Sequence, residues 1–538
     1  MDSTDSTATD NKQIVRASGT IMFAFIIGQV VSLISGILIT WKFGTGMEYD
    51  AFNAANKFPD ILYQLVAGGA LASAFIPTFT SLLAKGDRTR GWQLASAVVN
   101  LVTLILLVVG VFSAIFTPWI VRTILVPGFT DPVQFNLTVD LLRIQLISPI
   151  IFGISGLLMG IINSHQSFLW PALAPAMYSV GKIIGVLVFA PFMGIYGLAV
   201  GVLLGALMHG LIQIPALLKL PQRKYSLMLG VKMQEVREVI RLMGPRVLGV
   251  AFVQLNFLVN NRIASGLPEG SISAIGVAFT LMLMPEIAIA QSISIAALPT
   301  FSAQVVRGQL DAMRSSLASL LRGLLLLAIP ASLGMMLLRK PLVAMFYQRG
   351  DFNSHSTQLV AWALLFYAAG LVGHSVVEIV SRAFYALHDT KTPVFVGVVM
   401  MSLNVGLSIL FSRWFTQLGW MPHGGLALAN SLATFLEMSV LLVIMRRRLS
   451  GLEGKHILNG VFISLLAAGM MSLALVGWLV LTKNMSAWLV ALGGVAIGGL
   501  VYIIILAIFR VPELKIIKRL TSKLQNRFGG GKAGAALV

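Results

Sequence analysis

Residues 94–116 read LASAVVNLVTLILLVVGVFSAIF, an apolar run without one ionisable side chain. A helix that crosses bilayer hydrocarbon needs about 20 mainly apolar residues, and only an intact helix satisfies its backbone polar groups there. This stretch is long enough to span. Working outward from it, comparable runs recur at approximately 20–39, 61–83, 137–162, 172–192, 196–217, 243–263, 272–298, 317–338, 358–379, 394–411, 426–445, 457–481 and 488–509. The chain is therefore expected to be an all-α integral membrane protein with about fourteen transmembrane helices. Nothing between the runs is long enough for a soluble domain. Composition agrees: 538 residues with 57% hydrophobic side chains, 11% charged and a mean hydropathy of +0.87 carry more apolar surface than a soluble core can hide.

The net charge of +19 is distributed as topology rather than as a nucleic-acid footprint. Lys85, Arg88 and Arg90 follow the second run, Arg223, Lys224, Lys232, Arg237 and Arg241 the sixth, Arg307 and Arg314 the eighth, Arg382 and Lys391 the tenth, and Arg446, Arg447, Arg448 and Lys455 the twelfth. These loops alternate with poorer ones, although Arg339, Lys340 and Arg349 break the pattern after the ninth run. The positive-inside rule then places both termini in the cytoplasm. No aromatic interleaving or nucleic-acid module accompanies the basic residues, so nucleic acid is not an expected partner.

Residues 1–12 are rich in Ser, Thr and Asp and lack a basic signal-peptide start, which reads as a disordered tail before an uncleaved span. From Glu513 to Phe528, apolar Ile516, Ile517, Leu520, Leu524 and Phe528 interleave with Lys515, Lys518, Arg519, Lys523 and Arg527. That spacing suits a basic interfacial helix on anionic lipid, and equally a solvated tail. There is no cysteine, which removes disulfides and thiolate metal sites.

Ionisable residues at bilayer depth are costly and tend to face a bundle interior or a wet cavity. The candidates are Arg143, Lys182, Arg262, Glu286, Glu378 and Glu437, with His209 and His374 isolated from any metal-ligand spacing. Glu286 directly follows Pro285 inside the eighth run, where a kink opens space for a coupling carboxylate. Arg262 follows Asn260 and Asn261 near the outer end of the seventh, and its planar fork suits phosphate; snorkelling to the interface is the plainer reading. No phosphate-binding glycine loop leads to Lys-Ser or Lys-Thr, and the carboxylates are scattered, so a transporter is expected rather than an ATP-driven pump or an enzyme.

Residues 43–77, FGTGMEYDAFNAANKFPDILYQLVAGGALASAFIP, carry a specific signature. PGF at 127–129, GIINS at 160–164, MGPRVLGV at 243–250, NNRIASGLPEGSIS at 260–273, LPTFS at 298–302, RGDF at 349–352, RAFYALHDTKTP at 382–393 and GLALANSLA at 425–433 follow in order. The set closely resembles the MurJ/MviN family of lipid II flippases, within the multidrug/oligosaccharidyl-lipid/polysaccharide exporter superfamily. That resemblance implies fourteen helices in two six-helix lobes plus a C-terminal helix pair that forms a lipid-tail groove. It implies the substrate too: an undecaprenyl tail, a pyrophosphate and a sugar–peptide head, moved by alternating access in a bacterial cytoplasmic membrane for cell-wall synthesis.

The resemblance also locates departures. Arginines that relatives carry on the first, second and eighth spans fall here on Gln29, Ser35, Tyr63 and Thr280, while Asp50 and Lys57 persist and an acidic residue of the first span becomes Gly36. A family cation site maps to Asn261, Asn404, Ser408, Leu426 and Asn430, with Asn261 and Ser408 replacing carboxylates. Neutral oxygens hold a hard cation weakly. The expected substrate-binding residues are Asp50, Lys57, Arg262, Gln29, Ser35, Tyr63 and Thr280, with Glu286 coupling to a proton, to sodium or to the membrane potential.

The implied map is an N-tail (1–19), an N-lobe (20–218), a basic linker (219–242), a C-lobe (243–448), a helix pair (449–510) and a basic tail (511–538). The expected protein is a monomer without a cofactor, surrounded by membrane lipids and associated with cell-wall synthesis proteins. Three functions remain open at this point. They are a lipid II flippase or an exporter of a related lipid-linked oligosaccharide, an ion-coupled antiporter of amphiphiles, and a non-transporting envelope scaffold.

Overall fold

The computed structural model describes residue 24 and residues 26–66 and 70–513. The expected N-tail lies outside them, as does the basic C-terminal stretch beyond Glu513. In chain order the principal helices are α1 (Ile26–Phe43), α2 (Met47–Val66), α3 (Ala70–Ala84), α4 (Arg88–Ile115), α5 (Pro132–Gln145), α6 (Ser148–Ser164), α7 (Leu169–Ile184), α8 (Ile195–Leu211), α9 (Gln234–Ser265), α10 (Ser271–Glu286), α11 (Ser292–Val306), α12 (Leu310–Tyr347), α13 (Ser354–Ala386), α14 (Lys391–Gln417), α15 (His423–Arg448), α16 (Gly454–Leu481) and α17 (Ala487–Ile508). No strand occurs among the described residues. Twelve helical segments there are long and apolar enough to cross a membrane. The chain is a multi-pass membrane protein. The described residues of the two other expected spans, 61–83 and 243–263, are also helical, in α2 with α3 and in α9.

Local chemistry explains the helix starts and breaks. Asp87 caps α4 by accepting from the Arg90 amide, and Asp131 caps α5 by accepting from the amides of Val133 and Gln134, with Pro132 in the first turn. One turn of π-helix, Ile287–Gln291, follows Pro285 and Glu286 and separates α10 from α11. The sequence expects a kink at that proline; the structure has a π turn beginning just after Glu286.

Contacts divide the chain into two compact units: residues up to 274 with 347–359, and residues 275–346 with the remainder from 360. In the first, α7 and α8 pack backbone to backbone through Gly181, Gly185, Gly201 and Gly205; a Cβ on Gly181 would stand 2.2 Å from the Gly205 Cα. Small residues at such a crossing substitute for the hydrophobic drive that lipid removes. A core around Phe75, Phe79, Trp92, Leu94 and Leu157 joins α3, α4 and α6. α4 meanwhile leaves Ile105, Val108, Val111 and Phe112 exposed, as a lipid-facing stripe requires.

The second unit is cored by Phe301, Leu317, Leu321, Leu324, Ile379 and Phe384. α16 and α17 are paired by the Trp478 indole donating to the Val490 carbonyl at 3.0 Å and by a 2.8 Å hydrogen bond between Ser464 and Tyr502, whose hydroxyl also donates to the Leu326 carbonyl of α12 at 2.7 Å. Arg322 of α12, almost fully buried, stands 2.8 Å from Glu513 just beyond α17 and bonds His456 of α16.

Candidate functional site

α2 presents Asn56, Asp60 and Tyr63 at helical spacing, and these three line a cavity of about 110 Å³ inside the first unit. Ser148 and Phe152 of α6, Pro175 and Tyr178 of α7 and His209 of α8 complete most of its wall. Phe152 packs against Tyr63 (ring centroids 4.8 Å apart), Tyr178 (5.2 Å) and His209 (5.3 Å). The His209 Nδ1 is 2.6 Å from the Ser155 hydroxyl, which also accepts from the Gln213 amide. His209 is thereby held as a packed, hydrogen-bonded core histidine. Two ammonium groups flank the cavity. Lys57 lies 4.0 Å from Asp60 and 4.7 Å from the Phe257 ring centroid, while Lys182 sits 4.6 Å over Tyr178.

Asp50, one turn into α2, is buried. Its carboxylate accepts from the Gly270 amide (2.7 Å), the Ser273 amide (2.8 Å) and the Ser273 hydroxyl (2.6 Å). Both oxygens thus cap the first turn of α10, whose leading amides have no intrahelical partner. Around it, three motifs that are distant in sequence converge. The Met47 amide donates to Glu269 at 2.7 Å, Thr45 donates to Ser356 at 2.8 Å, and the Asp351 amide donates to the Trp41 carbonyl at 2.9 Å. Gly44 has φ +57°, and a Cβ there would come within 2.6 Å of the Asp351 carbonyl oxygen. Glycine in FGTG is required by that approach.

The other expected residues are placed separately. Gln29 is exposed on α1, whereas Ser35 is fully buried with its hydroxyl lacking a protein partner. Thr280 is exposed and donates back to the Gly276 carbonyl. Arg262 is exposed, and its guanidinium donates to the Thr123 carbonyl at 2.6 Å. Arg143 is also well exposed, 4.0 Å from Asp140. In the second unit, Glu286 is buried and within electrostatic reach of Glu378, which itself pairs with Arg382 at 2.7 Å and accepts from Ser294. Glu437 lies against Gly397.

Several residues of the expected cation set are engaged in hydrogen bonds within their own units. Ser408 donates to the Asn404 amide oxygen at 3.0 Å, the Asn430 amide oxygen is 3.1 Å from His374, and Asn261 donates to the Leu125 carbonyl. The Asn404 and Asn430 amide oxygens thus already have partners, Leu426 has only its backbone to offer, and Asn261 and Ser408 carry no charge. Among the described residues no group of three or more His, Asp or Glu is arranged to hold a metal.

The family profile described as "Lipid II flippase MurJ" matches residues 39–495, most of the chain. The chain belongs to the MurJ family. It is 29% identical to the lipid II flippase MurJ of Burkholderia cenocepacia, over 81% of this chain and 84% of that one, and 30% identical to the probable lipid II flippase MurJ of Vibrio cholerae over 80% and 83%. A solved structure titled "Lipid II flippase MurJ, inward closed conformation" superposes with a TM-score of 0.78 at 25% identity, covering 92% of this chain and 99% of that one. An inward-facing multidrug resistance MATE family transporter superposes at 0.67 with 15% identity, over 79% and 96%; that likeness concerns the fold alone.

Within this MurJ family member, several site residues escaped the sequence reading. Asp60 follows Lys57 by three residues, and only the fold turns it into a cavity with Tyr178 of a distant helix. Asp389 lay inside the quoted RAFYALHDTKTP stretch without a role. It accepts from the Thr392 hydroxyl (2.6 Å) and amide (3.0 Å) and pairs with Arg448 (2.6 Å), tying the start of α14 to the end of α15. An acidic residue three before a threonine at a helix start was the available signal.

Proposed function

We propose that this chain is a lipid II flippase, moving an undecaprenyl-pyrophosphate-linked sugar–peptide head group from the cytoplasmic to the outer leaflet by alternating access. It is a transporter, not an enzyme. The observation that carries the reading is the family match across residues 39–495, since it spans nearly all of the helical body rather than one motif. Physical need points the same way: a charged, hydrogen-bonding head cannot enter hydrocarbon without many kcal/mol of desolvation, so it needs a polar path while its tail stays in lipid.

In this reading the protein works in a bacterial cytoplasmic membrane with both termini inside; the basic loops after the second, sixth, eighth, tenth and twelfth spans support the orientation. Lys57 is the phosphate-facing cation of α2, beside Asp60 of the cavity wall. Glu286 is the coupling residue, because its buried carboxylate stands at a π turn, where a helix has two accessible geometries. It acts as a monomer, among membrane lipids and beside cell-wall synthesis proteins.

The neutral side chains Gln29, Ser35, Tyr63 and Thr280 favour a second substrate, another lipid-linked oligosaccharide, as the competing reading. Reconstitution into proteoliposomes with labelled lipid II tests both: time-dependent exposure of the head group on the far leaflet supports the flippase. Absence of translocation, together with a different polyprenyl lipid identified by mass spectrometry in the purified protein, supports the alternative.

A further inference from the structure

The cavity of the first unit carries a charge imbalance. Asp60 is the carboxylate in its wall, and two ammonium groups act on it: Lys57 on the same face of α2, one turn earlier, and Lys182, one turn after Tyr178 on α7. One carboxylate against two ammoniums leaves a net positive charge. Lys182 stands in the apolar stretch Val180–Phe189, where an uncompensated ammonium is expensive, and the contact it makes is with the face of the Tyr178 ring. The cavity wall also holds polar groups able to donate to an anion, the Asn56 amide and the Tyr63 and Tyr178 hydroxyls. The space suits one phosphoryl-sized group.

We infer that Lys182 is a substrate-binding residue that, with Lys57, holds one phosphate of a polyprenyl-phosphate lipid in the cavity between α2 and α7, while Asp60 serves as the counter-ion that the phosphate displaces. This rests on the lipid-flippase reading above and adds the site and its ligands to it. In the free protein Asp60 offsets part of the lysine charge. When a phosphate arrives, both ammoniums turn to the anion and the carboxylate keeps only its water-facing interactions. Asp60 thereby lowers affinity enough for release, an advantage for a carrier that must let go on the far side.

The sign of the Asp60 effect separates this from a structural role. Native mass spectrometry of the full-length protein with undecaprenyl pyrophosphate, and in parallel with lipid II, should show Lys182→Gln binding about tenfold more weakly or worse, with Lys182→Arg retaining most affinity. Asp60→Asn should bind several-fold more tightly than wild type. Uncharged undecaprenol should bind all variants alike. Lys182→Gln binding as wild type does, or Asp60→Asn weakening the phosphate lipid, overturns the assignment. Inorganic pyrophosphate is the control for source: Lys182-dependent binding of it without Lys182-dependent binding of the lipid also overturns the assignment. Should Lys182→Gln fail to fold, the Asp60→Asn arm decides alone. Wild type that binds undecaprenyl pyrophosphate through Lys182 but fails to translocate lipid II would refute the flippase reading and leave this site standing.

Discussion

Replacing Asp50 by alanine should destabilise the first unit far more than its single charge implies. Its two carboxylate oxygens serve three donors, the amides of Gly270 and Ser273 and the Ser273 hydroxyl, all buried. Each buried donor left without a partner costs about 1–3 kcal/mol, and loss of a helix cap costs about 1 kcal/mol. The hydroxyl can turn to a backbone carbonyl of its own helix, so two amides remain orphaned, for a total of about 3–7 kcal/mol. At roughly 2–4 °C per kcal/mol for a unit of a few hundred residues, the melting temperature should fall by about 6–28 °C. Asp50→Asn keeps one acceptor oxygen and should lose about half as much. The assay is thermal unfolding in detergent, followed by tryptophan fluorescence at a fixed scan rate. An Asp50→Ala melting temperature within a degree of wild type would refute the capping argument, as would an Asp50→Asn loss equal to that of alanine.

Other expectations follow from separate parts of the molecule. Gly201→Leu should abolish the folded protein, because a Cβ there already meets the Gly185 Cα at 2.6 Å; recovery of a monodisperse, normally melting variant would contradict the α7–α8 packing. At the α14 start, hydrogen bonds from the Thr392 hydroxyl and amide, with Arg448 nearby, hold the Asp389 carboxyl below its ordinary range. A lowered folded-state pKa stabilises above the unfolded value of about 3.9 and is lost as pH falls through the folded value. Asp389→Asn should therefore melt lower than wild type at pH 7, with the gap closing in acid, and a gap that is constant with pH counts against the electrostatic part. Arginine introduced at Ser35 should lower expression and melting temperature, since that site is sealed, whereas Thr280→Arg should be tolerated on its exposed surface; fluorescence-detected gel filtration compares them. A single cysteine at Arg223, clean in a chain without others, should resist impermeant thiol reagents in intact cells.

Spans were legible because the bilayer imposes one length and one polarity on every crossing, so 94–116 could be read without knowing its neighbours. α2 and α9 were legible for the same reason although they are more polar. Family membership was carried by short motifs in fixed order. What each motif residue does was not legible. Asp50 and Ser273 are separated by more than two hundred residues, as are Gly44 and Asp351, and only the folded chain makes one a cap and the other a close approach. From the sequence Lys182 is only an ionisable group at depth; the fold supplies its setting, an aromatic face and a carboxylate it shares with Lys57. Sequence by itself determines helix, span and the cost of a charge at depth, because these depend on residues a few positions apart and on the solvent. Tertiary structure alone decides which charges meet, because a partner for Asp60 or Asp50 can come from any helix, and local periodicity carries no record of which.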